Sequence, residues 1–273
     1  MLEYYDYIIL FTLGSLGGFI SGFLGVGGGI IFIPILDYFL SKLGMRDEML
    51  VKGILANSLF TIIFSGLMSS YKQYKMENFF PKQIFQTAVA GIFTALFLTY
   101  LIKNGNWYSK PVFNYVFSTM LFLIVIRMFW KRPASNENLP EPKPVKYLAT
   151  GFLAGIVTAM SGLGGGVIMT PVITDILKQD IRKASSISNG VIPLFAIAVG
   201  IYNLWSVPAI KIHSWQIGYI VFPVVLPMIF STLFFAPLGV AISQKTNPKI
   251  IRIIFASFAS LVFIKTLYEI FKA

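Results

Sequence analysis

About ten apolar stretches follow one another along this chain, near residues 7–24, 30–41, 50–70, 83–102, 111–130, 146–161, 167–177, 184–206, 215–242 and 250–271, with short polar connections between them. No other feature limits the fold so tightly. Crossing a hydrocarbon core of about 30 Å takes about 20 apolar residues in a helix, and several of these stretches reach that length. Inside hydrocarbon every backbone N–H and C=O needs a partner within the protein, which leaves helices or closed barrels. Long apolar runs without strict alternation are helical, so the sequence predicts an all-α polytopic membrane protein in contact with the lipid bilayer. A chain that is 56% hydrophobic and 12% charged fits that class. The first stretch is too long for a cleaved leader and follows Glu3 and Asp6 where a leader would be basic, so it is expected to remain as a span.

Charge sets the expected orientation. The formal net charge is +11, but the lysines and arginines sit in the connections and form no basic-aromatic patch of the kind that binds nucleic acid. Assigned alternately to two sides, 14 of the 22 basic residues fall on one of them. The positive-inside rule makes that side cytoplasmic and puts both termini outside the cell membrane. Lys52 and Lys183, near span entrances, could attract anions into a vestibule but are expected by default to snorkel, as is Lys265 within the last span. The lone His213, beside Trp215, reads as an interfacial loop residue. With no cysteine and scattered carboxylates, the chain offers no metal or cofactor site and no catalytic cluster, so an enzyme is not expected.

Two of the apolar stretches are broken by glycine. Residues 25–36 read GVGGGIIFIPIL and residues 162–173 read GLGGGVIMTPVI, sharing four glycines, an isoleucine and a proline at a constant offset of 137. The same offset pairs Gly14 with Gly151, Gly18 with Gly155 and Ser21 with Thr158, and further on ILANSL around Asn57 has a counterpart in SISNGV around Asn189. The chain therefore divides into an N-terminal repeat over 1–132, a polar, proline-rich cytoplasmic linker over 133–145 and a C-terminal repeat over 146–273. Each half holds five segments. An odd number makes the second half start from the opposite face, and inverted repeats with interrupted helices are a pattern of secondary transporters.

The segments after the glycines, 30–41 and 167–177, hold 12 and 11 residues. Helices of that length rise only about 16–18 Å, too little to cross a bilayer. Each half is thus expected to open with a hairpin that turns inside the membrane, its glycine tip facing protein or a wet cavity. Gly27 to Gly29 and Gly164 to Gly166 lead directly into a helix whose first N–H groups lack intrahelical partners, and such an end attracts anions. The expected substrate-binding residues are Gly25, Gly27, Gly28, Gly29, Gly162, Gly164, Gly165 and Gly166 at the tips, with Ser21, Thr158, Ser161, Asn57 and Asn189 nearby. Ser58 and Thr61 are weaker candidates.

Bland alternatives stand beside several of these assignments. Gly14, Gly18, Gly22, Gly151 and Gly155 have the four-residue spacing of helix packing. Ser21, Thr158 and Ser161 could bond back to carbonyls one turn earlier, and the two asparagines could serve as interhelical glue. Asp37 and Asp175, near the exits of the short helices, are candidates for coupling or gating, or are carboxylates paired locally. Pro34 and Pro171 are expected to shape the short helices.

The paired signatures GVGGGIIFIP and GLGGGVIMTP, preceded by GGFISGFL and GFLAGIVTAMSG, resemble the two repeats of the TauE/SafE membrane family, also called the sulfite exporter or toluene-sulfonate uptake permease family. The resemblance implies transport of a small sulfur-containing anion such as sulfite, thiosulfate, a sulfonate or sulfoacetate. From the residues alone, a passive anion channel and a non-transporting assembly or anchoring component stay open.

Overall fold

A computed structural model describes residues 2–129, 141–208 and 210–247, together with residues 253, 257 and 260–268. The protein is helical nearly throughout, and the chain order is α1 (Tyr4–Leu24), α2 (Gly29–Lys42), α3 (Asp47–Lys75), α4 (Pro81–Asn104), α5 (Lys110–Phe129), α6 (Pro144–Ser161), α7 (Gly166–Pro171), α8 (Ile181–Trp205) and α9 (Phe222–Ser243). Residues 260–268, in the last expected span, are also helical. The ends follow local chemistry. Prolines open α4, α6 and α9 in their first turns, where a missing N–H costs nothing. At α1 the Glu3 amide donates to the Asp6 carboxylate at 2.8 Å, and at α8 Asp180 accepts from the Arg182 amide at 2.7 Å.

Five helices, α1, α3, α4, α8 and α9, are long and apolar enough to cross a membrane. The chain is a multi-pass membrane protein. Helices α3 and α8 pack on each other at the centre, α1 lies along α9, and α4 lies along α6. Gly14, Gly18 and Gly22 face α9, while Gly151 and Gly155 face α4, so these small residues do serve close helix packing. The outer helices expose Phe93 and Phe97 on α4 and Phe230 and Phe234 on α9. A belt of that size would drive association in water and is the natural surface toward lipid.

One expected span needs correction. The stretch 215–242 does not start as a helix: Gln216–Ile217 and Ile220–Val221 form a short antiparallel hairpin, and α9 begins at Phe222. Gly218, at φ +57°, makes the reversal, and Tyr219, Ile220 and Val221 are buried, so apolar content alone could not separate hairpin from helix. Of the linker expected over 133–145, residues 133–140 lie outside the described residues; α6 already begins at Pro144.

The two short helices also differ. Helix α2 continues through Pro34 to Lys42, whereas α7 gives way after Pro171 to a π-helical turn over Val172–Ile176. The Thr174 hydroxyl lies within hydrogen-bond distance of the carbonyls of Thr170 (2.9 Å) and Pro171 (3.3 Å) at this turn. In the first half the corresponding positions are Ile33 and Asp37, which place no hydroxyl there.

Candidate functional site

Both glycine stretches are hairpin tips, and they share one backbone solution. Helix α1 ends on Gly25 (φ +70°) and α6 on Gly162 (φ +70°), each amide donating to the carbonyl four residues back. Gly28 (φ +70°) and Gly165 (φ +74°) then serve as left-handed N-caps of α2 and α7. An L side chain is strained in that region, which is why glycine stands at both positions.

The tips touch. A Cβ on Gly29 would lie 2.8 Å from Leu163 Cα, and one on Gly166 would lie 2.5 Å from the Gly25 carbonyl oxygen. Glycine at these two positions lets backbone meet backbone. The central helices grip the tips crosswise: Ser58 on α3 donates to the Gly162 carbonyl at 2.8 Å, and Ser188 on α8 donates to the Gly25 carbonyl at 2.6 Å. Thr170 adds a longer bond to the Gly25 carbonyl at 3.4 Å. The carbonyls are thereby satisfied by neutral donors.

The amides are not. Among the described residues no protein acceptor takes the N–H groups of Val26, Gly27, Gly28, Gly29 and Ile30, nor those of Gly164, Gly165, Gly166 and Val167, and all of these residues are buried. A buried N–H without an acceptor costs about 1–3 kcal/mol, so each of the two touching tips carries a run of donors left without a protein partner among the described residues.

A match to the family model for sulfite exporter TauE/SafE spans residues 10–266, nearly the whole chain. The chain belongs to the TauE/SafE family. This TauE/SafE protein is similar to a probable membrane transporter of Methanocaldococcus jannaschii, at 27% identity over 93% of this chain and 94% of the relative. It is also similar to probable membrane transporters of Haemophilus influenzae (24% identity, 94% of this chain and 97% of the relative) and Bacillus subtilis (23% identity, 97% and 98%). Family and relatives place the TauE/SafE protein among membrane transporters, not enzymes.

Around the tips of this TauE/SafE protein the polar residues take distinct roles. Thr158 bonds back to the Ala154 carbonyl at 2.7 Å and Ser161 to the Val157 carbonyl at 2.6 Å, whereas Ser21 donates across to Ser65 at 3.2 Å. Asn57 is fully engaged: its amide group donates to the carbonyls of Gly53 (2.7 Å) and Tyr219 (2.8 Å) and accepts from the Val221 amide (2.8 Å), latching the 216–221 hairpin to α3. Thr61 bonds back to the Asn57 carbonyl at 2.9 Å. Asn189 is the opposite case, buried with neither side-chain atom bonded among the described residues, one residue after the Ser188 that holds the first tip.

The two aspartates lie away from the tips. Asp37 pairs with Lys110 at 2.6 Å, and Asp175 accepts from Thr174 at 3.0 Å beside a 240 Å³ recess lined by Pro171, Val172 and Ile176. Lys42 closes the base of the first hairpin on Asp6 at 2.8 Å. Tyr108, in the α4–α5 connection, donates to the Met160 carbonyl and steadies the approach to the second tip; burial pushes its pKa up and keeps it a neutral donor. Sequence reasoning did not single out Ser188. Its place directly before Asn189, as Ser58 directly follows Asn57, was the available signal.

Proposed function

We propose that this protein is a secondary transporter of a small sulfur-containing anion, and that the anion is held where the two tips meet. The observation that carries the reading is the pair of buried glycine runs whose amides have no protein acceptor, at the N-terminal ends of α2 and α7. An oxyanion offers several acceptors to such amides, and the absence of side chains lets it approach closely. Asn189, whose buried amide group has no hydrogen-bond partner among the described residues, directly follows the Ser188 that holds the first tip and is the candidate side chain to add a hydrogen bond. The family's sulfite-exporter description favours sulfite and related oxyanions or sulfonates as cargo.

Alternating access follows from an inverted two-repeat organisation, 1–132 against 146–273. Three pairings support it: α1 on α9 answers α6 on α4, Ser58 on the second tip answers Ser188 on the first, and α3 and α8 occupy the centre. Substrate between the tips faces one side or the other as the repeats rock. Asp37 and Asp175, at the far ends of the short helices, are the candidate coupling or gating carboxylates.

The test is uptake into proteoliposomes of labelled sulfite, thiosulfate, taurine and sulfoacetate. Saturable flux with counterflow for at least one of them supports a carrier. Flux that rises linearly with concentration points to a passive channel, and no anion-dependent flux overturns the reading.

A further inference from the structure

The ends of α3, α4 and α8 enclose a second polar cluster that the tips do not use. Lys52, only 9% exposed, directs its ammonium at the backbone carbonyls of Lys103 (3.1 Å) and Gly105 (3.4 Å), with Glu48 at 3.7 Å. The Lys103 ammonium is buried and has no hydrogen-bond partner among the described residues; it lies over the Tyr219 ring at 3.7 Å and the Tyr202 ring at 5.8 Å. Asn203, 1% exposed, has a buried side-chain oxygen that is also unpartnered. All three line one cavity.

Two lysines share this mostly apolar setting with one carboxylate, Glu48, which lies 3.7 Å from Lys52, so a charge on Lys103 has no counter-ion there among the described residues. Burying such a charge is costly unless an opposite charge joins it. The ring faces stabilise Lys103 by a weaker interaction and accept none of its three N–H donors. The cavity also has a direction. Leu55 lines it and packs against the second tip, its Cδ2 3.1 Å from where a Cβ on Gly162 would stand, and Ala159 from α6 lines the same space.

We propose that the Lys52–Lys103–Asn203 cavity is an anion subsite on the path to the second tip, taking a small oxyanion of one or two negative charges. The proposal rests on the anion-transport reading for its role in a path, while binding at this place is measurable by itself. The free space is about 10 Å³, one water wide, so the anion is received as the Lys103 side chain swings off Tyr219. Lysine supplies the flexible stem that this requires. Asn203 supplies its amide group, whose oxygen and nitrogen exchange places by rotation.

The experiment is a titration of the full chain, purified in detergent and labelled with ¹³C at the lysine ε-carbons, with sodium thiosulfate and with sodium chloride at matched ionic strength. Lys52→Arg and Lys103→Arg assign the two resonances. Thiosulfate is expected to shift both along one saturable curve that chloride does not reproduce. Lys103→Met is expected to weaken the Lys52 response about tenfold or more, the loss of one charge-assisted hydrogen bond, and Asn203→Leu to weaken it by a smaller factor. Silent resonances, or shifts equal to those in chloride, overturn the subsite. Saturable shifts without uptake in proteoliposomes leave the subsite standing and remove the transport reading; uptake with silent resonances does the reverse.

Discussion

The Ser58 hydroxyl donates to the Gly162 carbonyl at 2.8 Å across 104 residues of sequence, binding the central helix of one half to the tip of the other. Ser188 does the same for Gly25. Replacing Ser58 by alanine removes the hydroxyl donor of the buried Gly162 carbonyl, a loss of about 1–3 kcal/mol, and replacing Ser188 leaves the Gly25 carbonyl only the longer bond from Thr170, a smaller loss. Thermal unfolding of Ser58→Ala and Ser188→Ala in detergent is expected to show a lowered midpoint for each. Because the two tips touch, the double variant is expected to depart from additivity. Additive losses would mean that the tips are independent.

The two asparagines should behave oppositely. Asn57→Leu breaks three bonds to the 216–221 hairpin and to α3, and is expected to destabilise by about 2 kcal/mol or more. Asn189→Leu removes a buried amide group that has no partner among the described residues, so stability is expected to hold or rise while anion flux falls. Equal destabilisation by both changes would contradict the assignment.

Acid should loosen the start of α6. Glu141 lies outside the spans; burial alone would raise its pKa, but hydrogen bonds from Lys183, Gln83 and Tyr147 outweigh it and hold the carboxyl below its ordinary 4.5. A depressed carboxylate contributes stability that is complete above the unfolded value and disappears as pH falls through the folded one. The loss therefore sets in below about pH 4.5 and should be absent in Glu141→Gln, as read by unfolding midpoints from neutral pH downward.

Sequence reasoning reached the tips because their requirement is local: consecutive glycines are costly in a helix, and only a left-handed turn or a close contact justifies them. Gly28 and Gly165 at positive φ, and Gly29 and Gly166 in contact with the facing tip, show both reasons. The 216–221 hairpin was hidden because its buried Tyr219, Ile220 and Val221 read as a continuation of the apolar run. The Ser188–Gly25 bond and the meeting of Lys52, Lys103 and Asn203 depend on how α3, α4 and α8 pack, and no spacing within one helix carries that information. Thr174 stands where Asp37 stands in the first copy, and the second copy has a π-turn there where α2 stays α-helical.

The most direct test of the tip site is thiosulfate and sulfite uptake into proteoliposomes containing wild-type protein, Gly28→Ala or Gly165→Ala. A methyl group at either position meets a left-handed backbone and an atom at 2.6 Å (the Gly17 carbonyl oxygen) or 2.7 Å (the Thr158 hydroxyl), so it must re-aim the amides. The left-handed backbone alone costs about 1–2 kcal/mol and the close contact adds to it, so abundance and helicity of each variant are measured beside flux. The expected result is membrane protein of normal abundance and helicity, with flux and anion-dependent thermal stabilisation lost in both variants. Wild-type flux in both would contradict the tip site.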